Sequence, residues 1–125
     1  MVKLLIVDDE PKLRSMLSGC LEPLSLEIAT AQSGEEALQQ ITAPVPPQLV
    51  IMDIKMPGMG GLKALQQIKA TAAQIGVFLL TGYDDDAIEQ QAIQLGALGV
   101  LHKPLVLADI RQAVQQAIAK LPPAP

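Results

Sequence analysis

Residues 49–61 read Leu49-Val50-Ile51-Met52-Asp53-Ile54-Lys55-Met56-Pro57-Gly58-Met59-Gly60-Gly61. A β-rich apolar run over 48–52 ends on an acid and breaks into a loop of proline and glycine. Leu62, Leu65 and Ile68 then recur at helical spacing. An apolar run without polar alternation suits a strand covered on both faces, as in a parallel sheet flanked by helices. Strand, loop and helix in that order make one half of a βαβ unit.

The same grammar repeats on either side. Residues 3–7 form a β-rich run into Asp8-Asp9-Glu10, and Pro11 sits where a helix can begin. Leu13, Met16, Leu17, Cys20 and Leu21 keep helical spacing until Pro23 stops the pattern. A weaker strand over 26–30 precedes Ser33, which caps a second helix, with Glu36 completing a capping box. Pro44, Pro46 and Pro47 separate that helix from the strand at 48–52, and Gly58, Gly60 and Gly61 read as a flexible loop.

A strand at 76–80 leads to Thr81-Gly82, and the acidic turn Asp84-Asp85-Asp86 complements the N-terminus of a fourth helix. Gly96 and Gly99 close that helix before a short strand at 99–101. Ile88, Ala92 and Leu95 share one sector of it and form its core stripe, leaving Ile93 exposed. Leu107, Ile110, Val114, Ile118 and Leu121 give the last helix its apolar stripe, which Pro122-Pro123-Ala124-Pro125 cannot continue. Five β-α units in strict alternation predict an α/β fold: a single doubly wound, five-stranded parallel sheet with helices on both faces. Residues 1–121 are read as one domain, and 122–125 as a Pro-rich tail or linker stub.

Composition narrows the function. A net charge of −4 without a basic cluster, one Phe, one Tyr and no Trp disfavour direct nucleic-acid binding. No apolar stretch approaches the roughly 20 residues a bilayer needs, and Asp8, Asp9 and Glu10 interrupt any signal-peptide core. The single cysteine, Cys20, reads as a small buried hydrophobe in a reducing cytoplasm. Met52, Met56 and Met59 show no metal-site pattern and read as packing residues, and lone His102 as solvated or packing.

Ligands of open parallel sheets bind outside the carboxyl ends of the strands. Four of the runs end there on Asp8-Asp9, Asp53, Thr81 and Lys103: three carboxylates, a hydroxyl and an ammonium on one rim. Taken singly, Asp8 and Asp9 read as a helix cap, Asp53 as a turn residue, Thr81 as a loop start and Lys103 as a surface lysine. Together they suit phosphoryl transfer. A carboxylate attacks phosphorus only when the incoming charge is neutralised, and Mg2+ takes one or two carboxylates plus phosphate oxygens.

Asp8-Asp9, the Asp53 to Gly61 stretch, Thr81-Gly82 and Lys103-Pro104 make the chain, over about residues 2–120, resemble the receiver domain of two-component response regulators. The resemblance implies a flavodoxin-like sheet in the order 2-1-3-4-5 and a cis peptide between Lys103 and Pro104. It implies a phosphorelay domain in which Asp53 takes a phosphoryl group from a sensor histidine kinase or a histidine phosphotransfer protein. Mg2+ would be held by Asp8, Asp9, Asp53 and the backbone carbonyl of Lys55, with Lys103 and Thr81 contacting the phosphoryl oxygens. Such a domain is no enzyme beyond catalysing its own phosphorylation and dephosphorylation. It signals to an effector domain or protein through the fourth helix, fifth strand and fifth helix, as a monomer or a weak, phosphorylation-favoured dimer.

The chain departs from that family's pattern in one respect. Many receivers carry an aromatic three residues before the lysine, and here that position is Val100, with Tyr83 the only aromatic nearby. Lys55 and Tyr83 occupy positions that in the family tune water access to the phosphoaspartate. Two other functions stay open: a degenerate receiver acting only as an interaction module, and an aspartyl-phosphate hydrolase. The latter usually needs an Asp two residues after the nucleophile, where this chain has Lys55.

Overall fold

Side chains alternate across a strand, so each apolar run divides its residues between two faces. In the first strand, β1 (Lys3–Val7), Leu4 and Ile6 join one hydrophobic core, and Leu5 and Val7 join another. The computed structural model describes residues 1–82 and 86–121. Tyr83, Asp84, Asp85 and the tail 122–125 therefore lie outside the described residues. After β1 come α1 (Pro11–Leu21), a 3-10 turn (Glu22–Leu24), β2 (Glu27–Ala31), α2 (Gly34–Ile41), β3 (Leu49–Asp53) and α3 (Gly61–Thr71). β4 (Gly76–Thr81), α4 (Asp86–Gln94), β5 (Gly99–His102) and α5 (Leu107–Ala119) complete the chain.

The sheet is parallel in the order β2-β1-β3-β4-β5. α1 and α5 cover one face, placing Leu17, Leu21, Ile110 and Val114 on Leu4, Ile6, Ile51, Phe78 and Leu80. α2, α3 and α4 cover the other, placing Ala37, Ile41, Leu65, Ile68 and Ala92 on Leu5, Val7, Val50, Met52 and Leu79. Each of the larger of these side chains (Leu, Ile, Val, Met or Phe), fully buried, contributes about 1.5–3 kcal/mol. From β1 the chain crosses to β2 on one side and then to β3 on the other. The loops leaving β1 and β3 consequently part, and a crevice opens at their carboxyl ends.

Several boundaries differ from the sequence reading in a way that matters for the site. β3 runs 49–53 and β4 runs 76–81, so Asp53 and Thr81 are the last paired residues of their strands. Asp53 pairs with Leu80 and Thr81 with His102, which fixes both main chains within the sheet. Only Gly96, at φ +102°, ends α4, because Gly99 already pairs in β5. α1 stops at Leu21, and Pro23 is accommodated early in the 3-10 turn, where its missing N–H goes unused. The chain reverses at Ser25, at φ 57°. The Ser33 hydroxyl accepts from the Glu36 N–H at 3.1 Å, but the Glu36 carboxylate returns to the Gln32 N–H, one residue before the cap.

The helical stripes hold except at two positions. Met16, midway along α1, and Leu107, at the start of α5, are exposed, and Ala117 is buried with Ile110 and Val114. Ala92 is buried with Ile88 and Leu95 partly covered, while Ile93 is 48% exposed, as the stripe predicts.

The glycine loop is tied down rather than flexible. The Gly61 N–H donates to the Ile54 carbonyl at 2.8 Å, and a Cβ on Gly61 would overlap the Asp53 carbonyl oxygen. α3 can therefore begin directly against the backbone of Asp53 only with glycine at its first position. Gly61→Ala should destabilise the fold by about 1–3 kcal/mol, as overpacking does, and should disturb Asp53 as well. Chemical denaturation with an unchanged midpoint would show that the loop yields freely.

Candidate functional site

At the carboxyl edge of the sheet, Asp8 follows β1, Asp53 ends β3, Thr81 ends β4 and Lys103 follows β5. Carboxylate oxygens of Asp8, Asp9 and Asp53 lie within 4.8 Å of one another; Asp8 and Asp53 are buried and Asp9 is exposed. Asp9 and Asp53 line an open cleft of about 620 Å³ together with Glu10, Lys55, Gly82 and Lys103.

Asp8 is held by its surroundings at three of its four polar atoms. Its N–H donates to the Ala31 carbonyl at 3.1 Å, its carbonyl accepts from the Arg14 guanidinium at 2.7 Å, and its Oδ1 accepts from the Glu10 N–H at 2.8 Å. Its Oδ2 is buried and has no hydrogen-bond partner among the described residues. Burial pushes the Asp8 carboxyl up to about 7, and the neighbouring Asp53 carboxylate adds to the shift. The Glu10 N–H and Lys103 oppose it.

Asp53 has both oxygens occupied. The Lys103 Nζ donates to Oδ2 at 2.6 Å, and the Lys55 N–H donates to Oδ1 at 3.1 Å. Burial alone would lower the Lys103 ammonium. The hydrogen bond and charge of Asp53, with the charges of Asp8 and Glu10, outweigh it and hold its pKa above the ordinary lysine value. Thr81 is 2% exposed, and its carbonyl accepts from the Lys103 N–H at 2.8 Å, so the threonine and the lysine are fixed to each other. The peptide between Lys103 and Pro104 is cis.

A buried carboxylate oxygen without a partner is costly and asks for an explanation such as an ion. Three converging carboxylates are a hard, all-oxygen donor set of the type that Mg2+ prefers. The residues present therefore fit such a cation.

Of the remaining residues singled out by sequence, Met56 lines the same cleft and the others fall outside it. Cys20 is buried, with its Sγ donating to the Leu107 carbonyl at 3.3 Å. Met52 and Met56 are buried and Met59 packs against the same core. His102 is exposed, with Nε2 3.4 Å from a Glu89 oxygen. Val100 is partly buried against the α4-side core. Two contacts carry no sequence signal: Arg14 on the Asp8 carbonyl, and Glu35, whose Oε1 accepts from the Met59 N–H at 3.2 Å. Arg14 lies one helical turn after Glu10, a spacing that signals only in hindsight.

Comparison with known proteins agrees with this geometry. The family model described as "Response regulator receiver domain" matches residues 4–115. The chain is 35% identical over 116 residues to regulatory protein AtoC of Escherichia coli (strain K12), covering 93% of this chain and 25% of that protein. It is 34% identical over 114 residues to sporulation initiation phosphotransferase F of Bacillus subtilis (strain 168), covering 91% of each. It spans little more than half the length of several other regulators that it matches. A crystal structure of a response regulator receiver domain protein from Clostridium thermocellum superimposes with a TM-score of 0.88 at 32% identity, covering 96% of each chain.

Proposed function

From the premise that this chain belongs to the response regulator receiver domain family, we propose that it is a phospho-acceptor whose acceptor is Asp53. The observation that carries this reading is the 2.6 Å contact between Lys103 Nζ and Asp53 Oδ2 beside the Asp8-Asp9 pair. An attacking carboxylate and a transferring phosphoryl group repel each other, and a fixed ammonium with a cation site beside it removes that repulsion.

In the proposed reaction an oxygen of Asp53 attacks phosphorus of a phosphohistidine in a kinase or phosphotransfer protein. The P–N bond breaks, its electrons stay on the imidazole nitrogen, and the product is an acyl phosphate on Asp53. Lys103 pairs with a phosphoryl oxygen in place of the carboxylate, and Thr81 hydrogen-bonds another. Asp8, Asp9, Asp53 and the Lys55 carbonyl would hold Mg2+, which when bound supplies positive charge opposite the phosphoryl oxygens. Hydrolysis reverses the modification: water attacks phosphorus, the acyl C–O–P link breaks at phosphorus, and inorganic phosphate leaves. Lys55, which lines the cleft, stands where it would tune the approach of that water.

Beryllofluoride with Mg2+, a mimic of the bound phosphoryl group, separates this reading from a pure interaction module. Binding that requires Mg2+ is expected; no binding identifies a module without phosphoryl chemistry. Steady turnover of small phosphate esters would instead favour a hydrolase.

The output is proposed to run through α4, β5 and α5, where Ile93 is exposed. A ligand shifts a two-state equilibrium only by its differential affinity, and moving from 1:99 to 99:1 takes about 5.5 kcal/mol. With Val100 in place of an aromatic, the activated arrangement has less to lock it. Weak dimerisation at most is expected on activation. Analytical ultracentrifugation with and without beryllofluoride measures this, and a tight dimer before activation would contradict it.

A further inference from the structure

The proposed cation site depends on where Asp8 points, and Asp8 is the first residue past β1, where the chain leaves the sheet for α1. We infer that Arg14 is a positioning residue for that site. It acts through the main chain of Asp8 and touches neither the cation nor the phosphoryl group. This inference rests on the reading of Asp8, Asp9 and Asp53 as the Mg2+ ligands.

The geometry is specific. Arg14 closes the first turn of α1, half-buried, and its own N–H donates to the Glu10 carbonyl at 3.2 Å. Its guanidinium reaches back to the Asp8 carbonyl at 2.7 Å, a short, charge-assisted hydrogen bond. The Glu10 N–H holds Asp8 Oδ1 at 2.8 Å, and the Ala31 carbonyl holds the Asp8 N–H at 3.1 Å. With those three atoms fixed, Oδ2 is the only polar atom of Asp8 left for a ligand, and it is the buried oxygen without a partner. Of the three ties, Arg14 is the only one made by a side chain, so it is the only one a substitution can remove cleanly.

A guanidinium is suited to this task because it is planar, always charged and less strongly hydrated than an ammonium. It holds the β1–α1 turn against the mutual repulsion of Asp8, Asp9 and Asp53, which would otherwise push that turn outward. Contacts that orient metal ligands without touching the metal typically change affinity 10–100-fold. A tie to the ligand's main chain belongs at the lower end of that range.

Arg14→Met keeps the aliphatic stem and removes the donors, and Arg14→Lys keeps a cationic donor at similar reach. Mg2+ titration of the unphosphorylated protein, followed by amide NMR, gives the affinity. Hydrogen exchange of the Glu10 amide reports whether the Asp8 turn is still held. The expected result is about tenfold weaker Mg2+ binding and faster Glu10 exchange in Arg14→Met, with Arg14→Lys restoring most of both. The metal-free melting temperature should stay close to wild type, which shows that the fold is intact. Wild-type affinity in Arg14→Met overturns the inference. So does weakened binding with unchanged Glu10 exchange, because Arg14 would then act by charge alone. Failure of the wild-type protein to take up Mg2+ is a different result and overturns the proposed function itself.

Discussion

Asp53→Asn should take up no phosphoryl group from acetyl phosphate or phosphoramidate in the presence of Mg2+, under conditions in which wild type takes up one. An amide oxygen is uncharged and a poor nucleophile, while the shape of the side chain is nearly unchanged. The loss would therefore be chemical rather than structural. Lys103 Nζ, now 2.6 Å from Asp53 Oδ2, would lose its ionic partner. The fold should survive, because Asp53 remains paired with Leu80 within the sheet. Intact-protein mass spectrometry reads the result directly. An Asp53→Asn protein that labels as well as wild type would sink the assignment.

The second large effect concerns Asp8 and acidity. Its carboxyl titrates at about 7 in the folded protein against an ordinary value of 3.8, chiefly because burial disfavours the charge. The unfolded chain therefore gives up this proton first as pH rises. Without metal, stability should fall from about pH 4 to about pH 7 and then level off, by an amount on the order of a few kcal/mol. Mg2+ inverts this dependence, since it binds only the ionised carboxylate. Its apparent affinity should rise about tenfold per pH unit below pH 7 and flatten above it. Asp8→Asn removes the charge and keeps the shape. At about pH 8 this variant should be more stable than metal-free wild type, and it should gain much less from Mg2+. Thermal melts across pH with and without Mg2+ check both signs. Wild-type stability that rises from pH 4 to pH 7 without metal would contradict the buried, partnerless Asp8.

How far the sequence could be read follows from physical scale. Strands such as Leu49–Asp53 are covered on both sides, so their apolar runs are unbroken, while the sheet order was implied only by the family resemblance that the motifs at their ends carry. The convergence of Asp8, Asp9, Asp53, Thr81 and Lys103 on one edge was legible because each closes or follows a strand. Arg14 and Glu35 were not legible. They are charged helix residues whose contacts, to the Asp8 carbonyl and the Met59 N–H, are made with main-chain atoms. Neither contact follows a local spacing rule of the kind that made the Ser33 cap readable. Gly61 was misread for a related reason: its glycine reflects close approach of the α3 start to the Asp53 carbonyl, and composition alone reads it as a loose loop. Leu107 and Met16 failed as core positions because helical spacing alone does not fix how wide a stripe the neighbouring elements cover.

The central claim is that Asp53, backed by Lys103 and a Mg2+ site, is where the phosphoryl group goes. Borohydride reduction of the phosphorylated protein converts an aspartyl phosphate to homoserine, and peptide mass spectrometry then locates it. The account predicts homoserine at position 53 alone, formed with Mg2+ present and lost when the cation is chelated. Homoserine at Asp8 or Asp9, a label on His102, or labelling indifferent to chelation would contradict it.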